Sequence, residues 1–193
     1  ERRERLAQIG PFLQLIDAID TIKAGATQVE LKPHHTEGHL ARFDRLRNAS
    51  GNTPTAALRL EMQKAMQEDA AVFRTGETLT SGVKRLEKVQ AQRPDIRVSD
   101  RGMIWNTDLV ETLEFDNLVG QAIVTVVGGE ARTESRGAHA REDFADRDDE
   151  NWMKHTLAWF DDRTGAVKLD FRPVHSYTMT NDIAYIPPKA RVY

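Results

Sequence analysis

The sequence contains no cysteine, which excludes a disulfide scaffold, thiolate zinc sites, cysteine-ligated iron–sulfur clusters and a cysteine nucleophile within this chain. It has no apolar run approaching the ~20 residues that a membrane-spanning helix needs. Its opening, Glu1-Arg2-Arg3-Glu4-Arg5, does not read as a signal peptide. Charge of one sign is missing too: 27 basic and 30 acidic side chains leave a formal net charge of −3, so no global field points to nucleic acid or an anionic membrane. No Gly-x-Gly-x-x-Gly and no phosphate-cradling glycine loop occurs, which removes the usual means of holding a dinucleotide. What is present is 193 residues with 39% hydrophobic content, enough to bury a core as one domain or two small ones. A first residue other than Met points to a fragment or a processed piece.

Apolar Phe12, Leu15, Ile16, Ile19 and Ile22 recur at helical spacing after Gly10-Pro11 and predict a short amphipathic helix. Residues 24–38, with Gly25, Pro33, Gly38 and nearby histidines, predict a connector with one candidate strand at 28–31. A helix is expected over about 40–47, from Leu40, Phe43 and Leu46, and Asn48-Ala49-Ser50-Gly51-Asn52 stops it. Thr53 is expected to cap the next helix, with Pro54 at its first position, where a missing N–H costs nothing. That helix carries the stripe Leu58, Met62, Met66, Ala70 and Phe73. Thr75-Gly76-Glu77 ends it, and Leu79, Val83 and Leu86 define a further helix closing near Gln92, before Arg93-Pro94. Three helices joined by short breaks predict an antiparallel bundle over 39–95, with Phe43, Leu58, Met62, Met66, Phe73, Val83 and Leu86 in its core. Met62 and Met66 read as gap-filling core residues rather than as ligands.

Residues 107–129 support two assignments. Asp108 followed by Glu111 resembles a capping box and favours one long buried helix through Leu109, Leu113 and Leu118, and the bundle extends through it on that assignment; Ile123-Val124-Thr125-Val126-Val127 would equally suit a buried strand. Farther on, residues 156–160 and 166–171 alternate around Asp161-Asp162-Arg163-Thr164-Gly165 and predict a β-hairpin with a five-residue loop. Pro187-Pro188 predicts an extended tail. The expected fold is mainly α: an antiparallel three-helix bundle followed by a small α+β C-terminal domain over 96–193, with a β-hairpin at 155–171. Residues 1–38 stand before it as a segment of one short helix and a connector.

Candidate chemistry is sparse. His35-Thr36-Glu37-Gly38-His39 places two histidines four apart, but Thr36 stands where a zinc protease needs Glu, and Gly38 weakens the helix that would set the spacing; solvated loop histidines fit better. Asp146-Arg147-Asp148-Asp149-Glu150 lacks the ligand order, the central Gly and the distant Glu of a calcium loop, and reads as an acidic turn. Gly128-Gly129 reads as a helix end. Residues 134–143 differ, with two guanidinium groups and an imidazole within six residues directly after an apolar run. Two readings stand: a salt-bridged turn in which Arg136 and Arg141 neutralise Glu142, Asp143 and Asp146, or a set of rigid cationic forks offered to carboxylates.

That segment, Ser135-Arg136-Gly137-Ala138-His139-Ala140-Arg141-Glu142-Asp143-Phe144, resembles the signature segment near the C-terminus of succinate dehydrogenase and fumarate reductase flavoprotein subunits. Its neighbours resemble the family in the same order: Asp149-Glu150-Asn151-Trp152-Met153-Lys154-His155-Thr156, Phe171-Arg172-Pro173-Val174, and the terminal Ile186-Pro187-Pro188-Lys189-Ala190-Arg191-Val192-Tyr193. Upstream, Phe43-Asp44-Arg45-Leu46-Arg47, Gly51-Asn52-Thr53-Pro54-Thr55 and Phe73-Arg74-Thr75-Gly76-Glu77 are similar to its helical domain. The likeness covers about 39–193, whereas residues 1–38 do not resemble the sequence expected there.

The resemblance implies the C-terminal part of a subunit in which one domain holds FAD covalently, a capping domain closes over the dicarboxylate, and hydride passes from succinate to flavin. Electrons then leave through an iron–sulfur subunit toward membrane quinone. The family's flavin-linking His and proton-transferring Arg lie in upstream domains, so the resemblance transfers no catalytic, cofactor-binding or metal-ligating residue to this chain, which is expected to bind no FAD and to be inactive alone. It nominates Ser135, Arg136, His139, Arg141 and Arg191 as positions turned toward the flavin and capping domains. Implied partners are those domains, the iron–sulfur subunit and the membrane anchors, at the cytoplasmic face of a bacterial inner membrane or the mitochondrial matrix side. A stand-alone helical interaction module, or the corresponding part of fumarate reductase or L-aspartate oxidase, are the alternatives.

Overall fold

The computed structural model describes residues 27, 30–32, 34–178 and 180–189 of the chain. Two units are distinguished, Glu1–Gly38 with His175–Tyr185 and His39–Val174 with Ile186–Tyr193. The helix expected at 12–22 lies outside the described residues, as does part of the strand expected at 28–31, of which Glu30 and Leu31 are in no strand. The elements in chain order are α1 (His34–Arg47), β1 (Thr53–Pro54), α2 (Thr55–Asp69), α3 (Gly76–Gln92), a 3-10 turn (Arg93–Asp95), β2 (Ile96–Arg97), α4 (Thr107–Ala131), β3 (Lys154–Phe160) and β4 (Val167–Pro173).

The core is a cluster drawn mostly from three helices, with Ala70, Ile96 and Val98 of the connections added. Leu58, Met62 and Ala65 of α2, Leu79, Leu86 and Val89 of α3, and Phe115, Val119, Ile123 and Val126 of α4 are all buried in it. Steps of three and four put each set on one helical face, so each helix can bury its stripe only against the other two. Their directions follow from side-chain contacts. Thr55 and Thr112 share a 2.7 Å hydroxyl hydrogen bond that joins the first turn of α2 to the second turn of α4. Near the start of α3, Thr80 donates to Glu130 at the end of α4 (2.6 Å), and just past the end of α3, Arg93 pairs with Asp116 near the start of α4 (3.1 Å). Thus α2 and α4 run parallel, and α3 runs against both. The return from α3 to α4 is long enough for that, and within it β2 pairs in parallel with β1, Thr53 opposite Ile96 and Pro54 opposite Arg97.

The bundle therefore differs from the expected one in its third member: α4 supplies it, and α1 contributes no residue to the core cluster, although its Leu46 is buried. Phe43 is only half-buried. Phe73 is 74% exposed, because α2 ends at Asp69 and the apolar stripe runs past the helix into the connection. Met62 is fully buried, while Met66 and Val83 pack at the edge of the core.

Helix ends explain further departures. The helix expected at 40–47 starts at His34, where the His35 amide donates to the Lys32 carbonyl (2.9 Å), so His35 and His39 stand on a helix and not on a loop. One internal glycine, Gly38, costs only about 1 kcal/mol and does not break it. Pro54 occupies the N-cap of α2, and Thr53 does not cap it; the Thr53 hydroxyl donates to Asp95 instead (2.8 Å). Thr75 forms a reciprocal box at the head of α3: its hydroxyl accepts from the Thr78 amide (3.2 Å) and the Thr78 hydroxyl accepts from the Thr75 amide (3.0 Å).

Residues 107–131 are one helix, not a strand. Its cap is Asn106, whose side-chain oxygen accepts from the Leu109 amide at 2.8 Å, while Asp108 is turned away to accept from the Ser99 and Asp100 amides. At Gly120 the helix lacks a side chain where the Phe160 ring of β3 rests; a Cβ there would lie 3.1 Å from that ring. This close approach seats the hairpin on α4. The strands are antiparallel, with Phe160 opposite Val167, so the loop holds six residues rather than five, and Asp161 accepts from the Arg163 and Thr164 amides inside it.

Candidate functional site

Beyond the last turn of α4 the chain doubles back in a segment rich in arginine. Arg132 leaves the helix and donates to the carbonyls of Trp152 (2.7 Å) and Lys154 (3.1 Å), with its guanidinium 5.1 Å from the centre of the Trp152 ring. It thereby ties the helix end to β3. Glu134, with no exposed surface, sits between two arginines: it accepts from Arg132 at 2.9 Å, from Arg136 at 2.8 and 3.0 Å, and from the Asp148 amide at 2.9 Å. Burial would raise its carboxyl pKa, but the Arg136 hydrogen bond, the amide and the two cations together hold it below the usual glutamate range.

Residues 136–139 make a tight turn in which the Arg136 and His139 backbones exchange hydrogen bonds of 2.8 and 3.0 Å. Gly137 occupies its first central position at φ +59°, the left-handed region that a side chain disfavours. The turn sets His139 between two partners: Nδ1 lies 3.1 Å from Arg74 and Nε2 lies 3.1 Å from the Arg132 carbonyl. Burial first, then the nearby cations Arg74, Arg141 and Arg132, hold this imidazole below its ordinary pKa, against the raising effect of the Arg132 carbonyl.

Arg141 is nearly as enclosed as Glu134, with 2% of its side chain exposed. Its Nε and Nη2 donate to the two carboxylate oxygens of Asp143, each at 2.7 Å, and its Nη1 donates to the carbonyls of Gly129 (3.3 Å) and Glu130 (3.1 Å) in the last turn of α4. The Phe144 ring lies 5.0 Å from the guanidinium carbon. Asp143 also accepts from the Gly76 amide at the head of α3 (2.7 Å). The hydrogen bonds from Arg141 are the leading cause that drives its carboxyl far below the usual range. Cation at one helix C-terminus and anion at another's N-terminus are both favoured by the helix dipoles.

Of the positions nominated from sequence, Ser135, Arg136, His139 and Arg141 converge here. The Ser135 hydroxyl accepts from the Arg141 amide (2.8 Å) and donates to the Phe144 carbonyl (2.8 Å). Arg191 lies outside the described residues. The arginines do neutralise local acids, but not the expected set: Arg136 takes Glu134 and Asp149, and Arg141 takes Asp143. Two members went unnominated. Arg132 stands at the last position of the α4 pattern, where a cation suits a helix C-terminus, so a signal existed. Arg74 is 65 residues from His139 and shows nothing locally beyond its place before the Thr75 cap.

The segment borders a surface cleft of about 610 Å³ whose wall combines Val72 and Phe73 of the α2–α3 connection with Arg136, His139, Arg141 and Arg147. Val72 and Phe73 are largely exposed, so apolar surface and engaged cations adjoin on one face.

Comparison with known proteins places this architecture. Residues 59–193 match the model of the fumarate reductase flavoprotein C-terminal family. The chain is 49% identical over 174 residues to the mitochondrial succinate dehydrogenase [ubiquinone] flavoprotein subunit of Oryza sativa subsp. japonica, which covers 90% of this chain and 27% of the relative. It is 47% identical over 178 residues to the succinate dehydrogenase flavoprotein subunit of Rickettsia conorii, covering 92% of this chain and 30% of the relative. A solved E. coli quinol fumarate reductase chain is 33% identical, with a TM-score of 0.71 over 86% of this chain and 28% of that one. The chain thus spans less than a third of the length of the relatives it matches. The Rickettsia alignment holds more residues than 39–193 contain, so the likeness, contrary to expectation, reaches into residues 1–38. The match to the family model over most of the chain, and identities near one half with two succinate dehydrogenase flavoprotein subunits, show that this chain belongs to the fumarate reductase flavoprotein C-terminal family.

Proposed function

We propose that this chain serves as the C-terminal portion of a succinate-oxidising flavoprotein subunit, and that the face bearing Val72, Phe73 and residues 134–144 packs against the flavin-binding and capping domains of that subunit. The observation that carries this reading is the juxtaposition at one cleft: exposed apolar side chains of the α2–α3 connection beside a segment whose arginines and histidine are hydrogen-bonded within the chain. An exposed apolar patch with a polar rim is the usual mark of an interface. Arg136, His139 and Arg141 then act by shaping that face, since each is engaged with groups of this chain.

The chain holds no flavin itself on this reading, which is supported by the use of two helix-head amides that could meet a pyrophosphate: the Gly76 amide of α3 is taken by Asp143 and the Leu109 amide of α4 by Asn106. Under this reading the flavin, the dicarboxylate and the hydride transfer belong to the remaining two thirds of the longer subunits. Electron transfer onward to an iron–sulfur subunit and quinone, at a bacterial inner membrane or in mitochondria, completes the proposal. Among the described residues no helix is long and apolar enough to cross a membrane, so attachment would come through the other subunits.

A chimera tests it: the matching C-terminal part of the Rickettsia conorii subunit is replaced by this chain and expressed with the rest of its complex. Covalently bound flavin and succinate oxidation near the parent's level are expected. A chimera that is stable yet flavin-free and inactive overturns the proposal. Phe73→Asp in the same chimera should weaken assembly without unfolding the chain, because Phe73 makes no part of the core.

A further inference from the structure

We infer that His139 is a proton-operated latch, which holds the 136–139 turn against the α2–α3 connection while its ring is neutral and releases it when the ring takes a second proton. The geometry assigns both ring nitrogens. A guanidinium has only donors, so Nδ1, 3.1 Å from Arg74 Nη1, must accept. A carbonyl only accepts, so Nε2, 3.1 Å from the Arg132 oxygen, must carry the proton. A second proton would go on Nδ1 and turn that acceptor into a donor facing a donor.

The surroundings make such a charge costly. The charged groups acting on the ring are Arg74 from the α2–α3 connection, Arg132 from the end of α4 and Arg141 from farther along the same segment, all cationic. On the α4 side the ring lies beside Gly129, with the apolar Leu79 of α3 close to the same point. Of the acids in this region, Glu134 is already engaged by Arg132 and Arg136, and Asp143 by Arg141. Arg74 keeps a second tether, donating to the Ala71 carbonyl at 2.7 Å, so losing His139 does not free Arg74 itself. What moves is the His139 end of the turn, since Arg136 stays paired with Glu134 and Asp149.

The rest of the segment stays in place as a hinge. Asp143, whose carboxyl the Arg141 hydrogen bonds hold far below the usual range, keeps its two bonds to that guanidinium, and the Glu142 amide still donates to the Arg74 carbonyl (2.8 Å). Release of the His139 end about that hinge would widen the cleft beside Val72 and Phe73 and alter the face where those side chains adjoin this segment. The latch is independent of whether the longer subunit oxidises succinate.

Nitrogen-resolved imidazole NMR on the purified 193-residue chain, with amide-exchange protection from about pH 7.5 to about pH 4.5, spans the ordinary histidine range on both sides. The Nε2–H tautomer is expected at neutral pH. Protection of the Arg136 and His139 amides, which pair with each other's carbonyls, should fall by roughly fivefold to tenfold relative to Leu86 as the ring titrates, the factor that loss of the Arg74 hydrogen bond implies. In His139→Gln, whose amide oxygen can still accept from Arg74, that protection should stay flat with pH. In Arg74→Gln the imidazole midpoint should move upward, since one of three cations is gone. An Nδ1–H tautomer at neutral pH, an equal fall in His139→Gln, or an unmoved midpoint in Arg74→Gln each overturns the latch.

Discussion

Arg141 grips Asp143 with two parallel 2.7 Å hydrogen bonds, and through this pair the C-terminus of α4 is bound to the N-terminus of α3. The same guanidinium reaches the Gly129 and Glu130 carbonyls, and the same carboxylate receives the Gly76 amide. Two residues close one end of the bundle because each supplies the charge that its helix end favours.

Arg141→Lys keeps the charge but not the planar fork, so one ammonium would have to serve both Asp143 oxygens and the helix carbonyls. Loss of hydrogen bonds to a charged group should cost about 1.5–3 kcal/mol, read from chemical denaturation of the isolated chain. An unchanged midpoint would show that the buried guanidinium is not needed to close the bundle.

Acid should act on the same region. Glu134 and Asp143 have folded-state pKa values below their unfolded values. Each therefore adds stability that is complete above the unfolded carboxyl range near pH 4 and is lost as pH falls through the folded value. Thermal unfolding between about pH 5 and pH 2 should show a steep loss, less steep in Glu134→Gln. Equal slopes in the two proteins would contradict this.

The Thr75–Thr78 box is local and separable from the arginine cluster. Thr75→Ala removes the hydroxyl that accepts from the Thr78 amide and should cost about 0.5–2 kcal/mol. Hydrogen exchange should then show fraying confined to the first turn of α3.

Leu58 is 2% exposed and belongs to the core cluster shared by α2, α3 and α4. Leu58→Ala should destabilise by roughly 2–5 kcal/mol through lost burial and a residual cavity. Leu60→Ala, two positions along on the exposed face, should change stability little and serves as the control.

What the sequence determined by itself was local. Helical spacing placed Leu58, Met62, Leu79 and Leu86 correctly, alternation found the hairpin, and the dense arginine segment marked the candidate site, because each signal lies within a few residues and depends on period or composition alone. Tertiary structure decided the rest. Helicity of 123–127 rests on Phe115, Val119, Ile123 and Val126 sharing one face with α2 and α3, which short apolar runs cannot reveal. Phe73 fits the stripe of α2 yet lies outside the core, since the helix ends before it does. The partners of the arginines were likewise undecided: Arg136 took Glu134 and Asp149 rather than Glu142, Asp143 or Asp146, and His139 found Arg74 from 65 residues away. Charge attraction is not directional enough to pick a partner along the chain; only the packing of α3 against α4 brings Arg74, His139 and the Arg132 carbonyl to one point.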